Sequence, residues 1–376
     1  MKKIILTGGG TAGHIQPALA IAEIIKRRLP DTEFLYVGTP EGIESRIAKR
    51  EGYRFEGVTV AGFSRQITPK NVIKNAKAVA LLASADIKSR KIIKDFAPDL
   101  VIGTGGYVSG PVVKAAADMK IPTALHEQNA FPGLTTKLLS KRVDEIMLAF
   151  PEAAERLGET VKYTVTGLPT REAYGGKRIS RDEAKKKLGL SGDLCILSFG
   201  GSLGARTINS EAAKLIQFTR SLPVHINHIH GYGKIGRERF LESLKNAGVD
   251  PEEDKRLIIR EFIDNMPVCF AAADIVISRS GASTVAELQA IGRAAVLIPS
   301  PNVTENHQYF NAMVLGKKGA AHVIEEKNLD ENTLTETIKE LIENPDKLNR
   351  MAKIAAEEYE HATADKVFAV LENYLT

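Results

Sequence analysis

Tryptophan is absent from this 376-residue chain, aromatic residues make up only 6% of it, and there are two cysteines, Cys195 and Cys269. Two thiols make no disulfide framework, so the chain reads as a protein of a reducing cytoplasm. No apolar run reaches 18 residues, which argues against a transmembrane helix. The opening Met1-Lys2-Lys3-Ile4-Ile5-Leu6 has the charge of a signal peptide, but its apolar stretch stops at Gly8, too short for a secretory hydrophobic region. Low-complexity segments are missing, and the balance of 43% hydrophobic and 26% charged residues excludes disorder, collagen and coiled coil as the main theme. What remains is enough apolar material for two ordinary domains.

The net charge of +5 is uneven. Residues 1–164 hold 24 Lys and Arg against 17 Asp and Glu, and the rest of the chain holds 27 against 29. The excess concentrates in residues 65–94, where Arg65, Lys70, Lys74, Lys77, Lys88, Arg90, Lys91 and Lys94 face a single acid, Asp86. These cations alternate with Val72, Ile73, Val79, Leu81, Leu82, Ile87, Ile92 and Ile93. A basic, apolar stretch of this kind suits an anionic membrane surface, and a solvated helix face is the plainer alternative. Nucleic acid is not expected as a partner, because aromatic stacking residues and recognition motifs are missing.

Strand and helix alternate along the chain. Strands are expected at Lys3–Thr7, Glu33–Val37, Leu100–Gly103 and Thr123–His126, with helices at about 16–28 and 111–119. The pattern pauses around 164–169. A second series follows, with strands at Leu194–Phe199, Val224–Ile229, Leu257–Arg260, Ile275–Ser278 and Ala294–Ile298 and closing helices at about 346–360 and 364–374. The rhythm implies α/β architecture: two doubly wound, Rossmann-like parallel-sheet domains, at 1–166 and 167–360, with the helix at 361–376 packing back on the first. Ligands of such sheets sit at the carboxyl ends of the strands, and every glycine cluster of this chain lies there. Two such sheets facing each other would share an interdomain cleft.

Gly8-Gly9-Gly10-Thr11-Ala12-Gly13-His14 contains GxGxxG between a strand and a helix. It suits a dinucleotide turn, an amide nest for a diphosphate, or a tight turn with no ligand. The acid that a dinucleotide site needs after the second strand arrives only at Glu41. His14 opens the helix, whose positive end favours a neutral imidazole able to accept a proton. Gly103-Thr104-Gly105-Gly106-Tyr107-Val108-Ser109-Gly110-Pro111 is a second strand-end loop, and His126-Glu127-Gln128-Asn129 caps the next strand with four polar side chains. A metal at His126 and Glu127 is conceivable, but nothing else offers ligand spacing. In His225-Ile226-Asn227-His228-Ile229-His230, strand alternation sets His225 opposite His228 and His230, against one shared ion. Gly200-Gly201-Ser202-Leu203-Gly204-Ala205 repeats the strand–turn–helix device. Ile275-Val276-Ile277-Ser278-Arg279-Ser280-Gly281-Ala282-Ser283-Thr284-Val285-Ala286-Glu287 feeds a helix, in which Thr284 and Glu287 form either a capping box or a diphosphate and ribose site. Asn306-His307-Gln308-Tyr309-Phe310-Asn311 places polar side chains before another helix.

In this order, GGGTAGH, GTGGYVSGP, HEQN, GGSLGA, RSGASTVAE and NHQYFNA resemble the MurG family of N-acetylglucosaminyltransferases of peptidoglycan synthesis, over nearly the whole chain. The resemblance implies the GT-B fold and an inverting transfer of GlcNAc from UDP-GlcNAc to undecaprenyl-diphospho-MurNAc-pentapeptide (lipid I), giving lipid II. It implies no cofactor and no metal; the chain also lacks any Asp-x-Asp pattern. For the donor it implies Thr11, Gly13, Asn129, Arg171 near the phosphates, Ser202, Ile263 at the uracil, the Ala282, Ser283 and Thr284 turn at the diphosphate, Glu287 at the ribose, and His307 and Gln308 at the sugar hydroxyls. For the acceptor it implies Gly10, Thr11, Gly13, His14, Gly105, Gly106 and Tyr107; the in-line attack of the acceptor hydroxyl makes His14 the candidate catalytic base. Partners implied are lipid I, an anionic membrane surface met by residues 65–94 from the cytoplasmic side, and other cell-wall synthesis proteins. Ala12, Leu168 and Leu203 depart from the family pattern, which commonly has glycine, asparagine and a polar residue there. The rival readings are a GT-B transferase with another lipid or glycoside acceptor, a non-catalytic UDP-sugar sensor, and a dinucleotide-dependent enzyme.

Overall fold

The computed structural model describes residues 1–60, 69–158, 160–175, 179–192, 194–201, 203–303, 306–359 and 362–375, and for 69–80, 173 and 175 the backbone alone. It divides into two units, Met1–Arg171 with Glu360–Thr376, and Glu172–Tyr359. The division falls after Arg171, so residues 167–171, which the sequence places in the second domain, lie in the first unit.

In the first unit, Lys3–Thr7 (β1) has apolar residues on both faces because both are covered: Ile4 and Leu6 pack in one cluster, Ile5 in another. The elements that follow are Ala12–Arg28 (α1), Glu33–Gly38 (β2), Ile43–Arg50 (α2), Arg54–Gly57 (β3), Pro69–Phe96 (α3), Leu100–Gly103 (β4), Ser109–Asp118 (α4), Thr123–Glu127 (β5), Leu134–Leu139 (α5), Glu145–Leu148 (β6) and Thr164–Val165 (β7). The sheet order is β3-β2-β1-β4-β5-β6-β7, every pairing parallel, with Ile4 beside Phe34 on one side and Leu100 on the other. The pause read around 164–169 contains β7, which pairs with β6.

The second unit holds Glu172–Gly175 (α6), Arg181–Lys187 (α7), Leu194–Phe199 (β8), Arg206–Arg220 (α8), Ile226–Gly231 (β9), Arg237–Asn246 (α9), Leu257–Arg260 (β10), Met266–Ala272 (α10), Ile275–Ser278 (β11), Ala282–Ile291 (α11), Ala294–Leu297 (β12), His307–Gly316 (α12), Ala321–Val323 (β13), Thr333–Glu343 (α13) and Pro345–Glu357 (α14). Its sheet, β10-β9-β8-β11-β12-β13, is also all parallel. Cys195, Leu197 and Phe199 face one core, and Ile196 faces another. The last helix, Thr363–Leu375 (α15), lies in the first unit, with Val367, Phe368 and Leu371 in the core beside Ile15 and Leu19 of α1. The Tyr374 hydroxyl donates to Glu145 at 3.0 Å.

Each sheet reverses direction beside its first strand, between β1 and β4 and between β8 and β11. That switch point is where an open parallel sheet leaves a crevice for a ligand. The loops after these four strands are Gly8–Gly10, Thr104–Gly106, Gly200–Gly204 and Arg279–Gly281.

Within α3, the apolar residues read as a surface stripe divide. Ile92 and Ile93 are buried in the core with Ala85 and Phe96, because they face the sheet, while Ile87 is 70% exposed. Lys88, Lys91 and Lys94 are exposed, whereas Arg90 is paired with Asp86 and Asp118. Arg65 lies outside the described residues. No helix among the described residues is long and apolar enough to cross a membrane.

Candidate functional site

In the first unit the glycine turn after β1 is closed from below. Glu44 of α2 is fully buried, and its carboxylate accepts from Gly10 N at 3.2 Å and Thr39 N at 2.9 Å. The Gly9 amide donates to Gly105 O at 3.3 Å. The expected amide nest is therefore corrected: Gly9 and Gly10 use their N–H groups inside the protein. The amides left without an internal acceptor at this helix start are those of Ala12 and Gly13, since Thr11 is the N-cap and makes no side-chain cap bond. Glu41, the first acid after β2, is exposed, and it is Glu44 that turns inward beneath the loop. Ala12 opens α1 and is not among the positive-φ residues, so its methyl meets no backbone penalty.

His14 lies in the first turn of α1, half-buried. Its Nδ1 is 3.0 Å from Thr104 O and 3.0 Å from Gln128 Oε1. Gly105 has φ +102°, and a Cβ there would stand 2.7 Å from His14 Nδ1, so only glycine lets this loop lie against the ring. Gly106 shares that loop, and the Tyr107 ring is 56% exposed. The four residues capping β5 divide their work. His126, 1% exposed, sets Nε2 3.1 Å from Gly167 O, and burial pushes its pKa down to about 4. Glu127 accepts from Asn129 N and Nδ2 at 3.0 Å each, from Gly133 N at 2.9 Å and from Thr136 Oγ1 at 2.6 Å, which ties down the loop from 129 to 136. These bonds occupy the donor atoms on which a metal at His126 and Glu127 would depend, so that reading is withdrawn.

Arg171 is placed differently from the expectation. Its guanidinium lies 2.6 Å from Glu23 and 2.8 Å from Glu51, and it holds the Glu51 carboxyl below the usual range. Glu23 is nine residues along α1 from His14, about 13 Å of helix. Two carboxylates of the first unit thus pair with this cation.

In the second unit, α11 starts at the switch point with Gly281 as N-cap and no side-chain cap. The capping-box reading is therefore corrected: Thr284 is the third residue inside the helix, and Glu287 lies more than a turn along it. The amides of Ala282, Ser283 and Thr284 are the ones a helix leaves without internal acceptors, and they carry its positive end. Ser283 Oγ is buried with no hydrogen-bond partner. Glu287 is half-buried; desolvation raises its pKa to about 8 against a hydrogen bond from the Tyr174 hydroxyl of α6. Next to this turn, Ser280 Oγ donates to Gln308 O at 2.7 Å, and Ser300 N donates to Gln308 Oε1 at 2.9 Å. The amide NH₂ of Gln308 is thereby oriented away from Ser300. His307 and Gln308 stand in the first turn of α12 rather than before it, since Asn306, at φ +50°, is the N-cap.

On the other side of the same sheet, Ile263 follows β10 and packs against Gly231 at the end of β9. A Cβ on Gly204 (φ +83°) would lie 2.2 Å from Tyr232 O, so the loops after β8 and β9 touch backbone to backbone. Ser202 lies outside the described residues. The histidines of β9 are core groups. His228 Nε2 is 2.7 Å from Thr219 Oγ1, His230 Nδ1 is 2.8 Å from Ser198 Oγ, and burial lowers both to about 3. No group of three or more His, Cys, Asp or Glu able to hold a metal occurs among the described residues.

The structure thus gathers Gly10, Thr11, Gly13, His14, Gly105, Gly106, Tyr107 and Asn129 at the strand ends of the first unit. Ile263, Ala282, Ser283, Thr284, Glu287, His307 and Gln308 are gathered at those of the second. Sequence reasoning missed Glu44 and the inward role of Gln128. The signal for Glu44 was the spacing of Gly9, Gly38 and Gly42, at each of which a Cβ would come within 2.6 Å of its side chain.

Residues 4–148 match the glycosyltransferase family 28 N-terminal domain and residues 195–367 its C-terminal domain. Two relatives, from Acetivibrio thermocellus and Thermoanaerobacter pseudethanolicus, carry the name UDP-N-acetylglucosamine--N-acetylmuramyl-(pentapeptide) pyrophosphoryl-undecaprenol N-acetylglucosamine transferase. The first is 44% identical over 94% of this chain and 93% of its own length; the second is 39% identical over 99% of each. A crystal structure of Acinetobacter baumannii MurG is 27% identical, with a TM-score of 0.72, covering 99% of this chain and 100% of that one. These matches and the two Rossmann-like sheets bear out the GT-B, α/β class expected from the sequence. The chain belongs to glycosyltransferase family 28 and, within it, to the MurG family of N-acetylglucosamine transferases.

Proposed function

We propose that this chain is an inverting hexosyltransferase that moves GlcNAc from UDP-GlcNAc to the muramoyl sugar of undecaprenyl-diphospho-MurNAc-pentapeptide, forming lipid II for peptidoglycan synthesis. One observation carries the reading: relatives named for a transfer between such substrates match this chain almost end to end. The geometry supports a division of labour. The departing UDP gains charge on its diphosphate, and the outward amides of Ala282, Ser283 and Thr284 at the start of α11 offset that charge without reorganising. Glu287 takes the ribose hydroxyls as a carboxylate, Ile263 meets the uracil through its main chain, and His307 and the Gln308 amide meet the sugar. In the first unit, His14 Nε2 accepts the proton of the attacking hydroxyl, and the amides of Ala12 and Gly13 meet the acceptor diphosphate. Thr11 and Asn129 flank the transferred sugar. Arg171, held by Glu23 and Glu51, is assigned to the structure of the first unit rather than to the donor phosphates.

The acceptor's polyprenyl chain lies in a bilayer, so the enzyme works as a peripheral protein on the cytoplasmic face. Exposed Lys88, Lys91 and Lys94, with Ile87, supply a cationic and apolar contact for anionic lipid. Incubating the purified protein with labelled UDP-GlcNAc and lipid I in detergent tests the reaction. Appearance of lipid II and UDP in equal amounts is expected. Intact donor recovered after binding, with no transfer, would replace the enzyme by a sensor, and transfer only to a different acceptor would change the substrate.

A further inference from the structure

Gln128 is 2% exposed and lies between two imidazoles. Its Nε2 donates to His126 O at 2.6 Å and stands 3.2 Å from His126 Nδ1. On the far side of that ring, His126 Nε2 faces the carbonyl oxygen of Gly167 at 3.1 Å. A carbonyl oxygen only accepts, so His126 carries its proton on Nε2 and turns the lone pair of Nδ1 toward the Gln128 amide. Both hydrogens of the amide thus point at His126, which leaves Oε1 facing His14 Nδ1 at 3.0 Å. Thr104 O faces the same nitrogen at 3.0 Å. With two acceptors and no donor before it, His14 Nδ1 must bear the proton, and Nε2 holds the lone pair.

We propose that Gln128 is a positioning residue for glycosyl transfer, fixing the tautomer and ring plane of His14 so that Nε2 is presented as the proton acceptor. The proposal rests on the reading of His14 as the base. Thr104 O alone restrains Nδ1 from one direction, whereas a second acceptor on the side of β5 also restrains rotation of the ring. The chain from Gly167 through His126 and Gln128 to His14 is directional at every link, because each group has one donor end and one acceptor end. The same logic operates where a group hydrogen-bonded to one ring nitrogen decides what the other can do.

The test has a spectroscopic arm and a kinetic arm, both on the full chain. Histidine labelled with ¹⁵N is observed at pH 8, with His14 assigned by its loss in His14→Gln. A pyrrole-type Nδ1 and a pyridine-type Nε2 are expected for the wild type. In Gln128→Leu the two signals should move toward a mixture, kcat should fall about tenfold or more, and KM for UDP-GlcNAc should stay within twofold. Protonated Nε2 in the wild type would overturn the proposal, and this measurement decides the matter even if the variant does not fold. A folded Gln128→Leu with wild-type kcat and unchanged histidine signals would overturn it as well. Full turnover in His14→Gln would instead end the reading of His14 as base, and with it the catalytic part of this proposal, while the tautomer itself stands.

Discussion

The two units build the same device at the same topological point and then treat its polar groups in opposite ways. In the first, the glycine turn after β1 bonds to itself: Gly9 donates to Gly105, Gly10 to Glu44, and the β5 cap is satisfied through His126, Glu127 and Gln128. It leaves the Ala12 and Gly13 amides without internal acceptors and ties the His14 ring by Nδ1. In the second, the α11 turn has Gly281 as N-cap and no side-chain cap bond, a buried Ser283 hydroxyl without a partner, and a Glu287 carboxyl whose pKa desolvation raises to about 8. A satisfied turn orients a reactive atom, and an unsatisfied turn takes up an anion. The proposed division, base chemistry in one Rossmann unit and nucleotide binding in the other, rests on this contrast, although their strand orders correspond.

The sharpest way to break this contrast is His14→Ala. It should lower kcat by about 10²–10⁴ and leave the UDP dissociation constant within twofold, measured by steady-state kinetics and calorimetry; an equal loss in UDP affinity would give the first unit a nucleotide role. Next comes the charge of α3, on which the proposed lipid contact rests. Lys88→Glu, Lys91→Glu and Lys94→Glu together should weaken binding to anionic vesicles about tenfold or more, at about 1 kcal/mol for each cation near the surface. UDP affinity should not change, and unchanged vesicle sedimentation would move the contact elsewhere.

Glu287 sharpens the second half of the comparison. With a free pKa of about 8, it is mostly protonated at pH 7, so a ribose bound by the carboxylate should expel close to one proton per UDP. Calorimetry in buffers of different ionisation enthalpy reads that release, and Glu287→Gln should abolish it and weaken UDP about tenfold. The stability sign is fixed by the same shift. The folded protein keeps a proton that the unfolded chain sheds near 4.5, so this contribution is full below 4.5 and is lost as pH rises through about 8. Melting curves of Glu287→Gln should accordingly fall less between pH 5 and 9. The smallest expected effect is that of Arg171→Ala: about 1 kcal/mol of stability lost with the Glu23 and Glu51 pairs, and UDP affinity within twofold. A large loss of UDP affinity would restore Arg171 to the donor.

Much of the fold is visible in local pattern. Strands buried on both faces, such as Lys3–Thr7, Leu194–Phe199 and Ile275–Ser278, are short apolar runs with a glycine or small-residue turn behind them, and the structure has them with those bounds. β3, β6, β13 and the two-residue β7 were missed. Arg54–Gly57 and Ala321–Val323 are sheet-edge segments with little apolar character, and Glu145–Leu148 lacks a glycine turn. The site was legible as clusters, because glycine loops and polar caps at strand ends are local features. The direction of each side chain was not, because it depends on partners far along the chain. Gln128 meets a residue 114 positions away, and Gly10 meets Glu44 34 positions on. The partners of Arg171 were hidden for the same reason, since its two carboxylates lie 148 and 120 positions earlier.

Glu44 has a consequence for what this scaffold can become. Its carboxylate takes the Gly10 N–H from beneath, so that amide is closed to a dinucleotide phosphate, and adding a ribose-binding acid after β2 would not by itself turn this unit into a cofactor-binding module. Such a redesign would have to remove Glu44 first, and the space it left among Gly9, Gly38 and Gly42 would then need refilling by side chains that those three positions do not have.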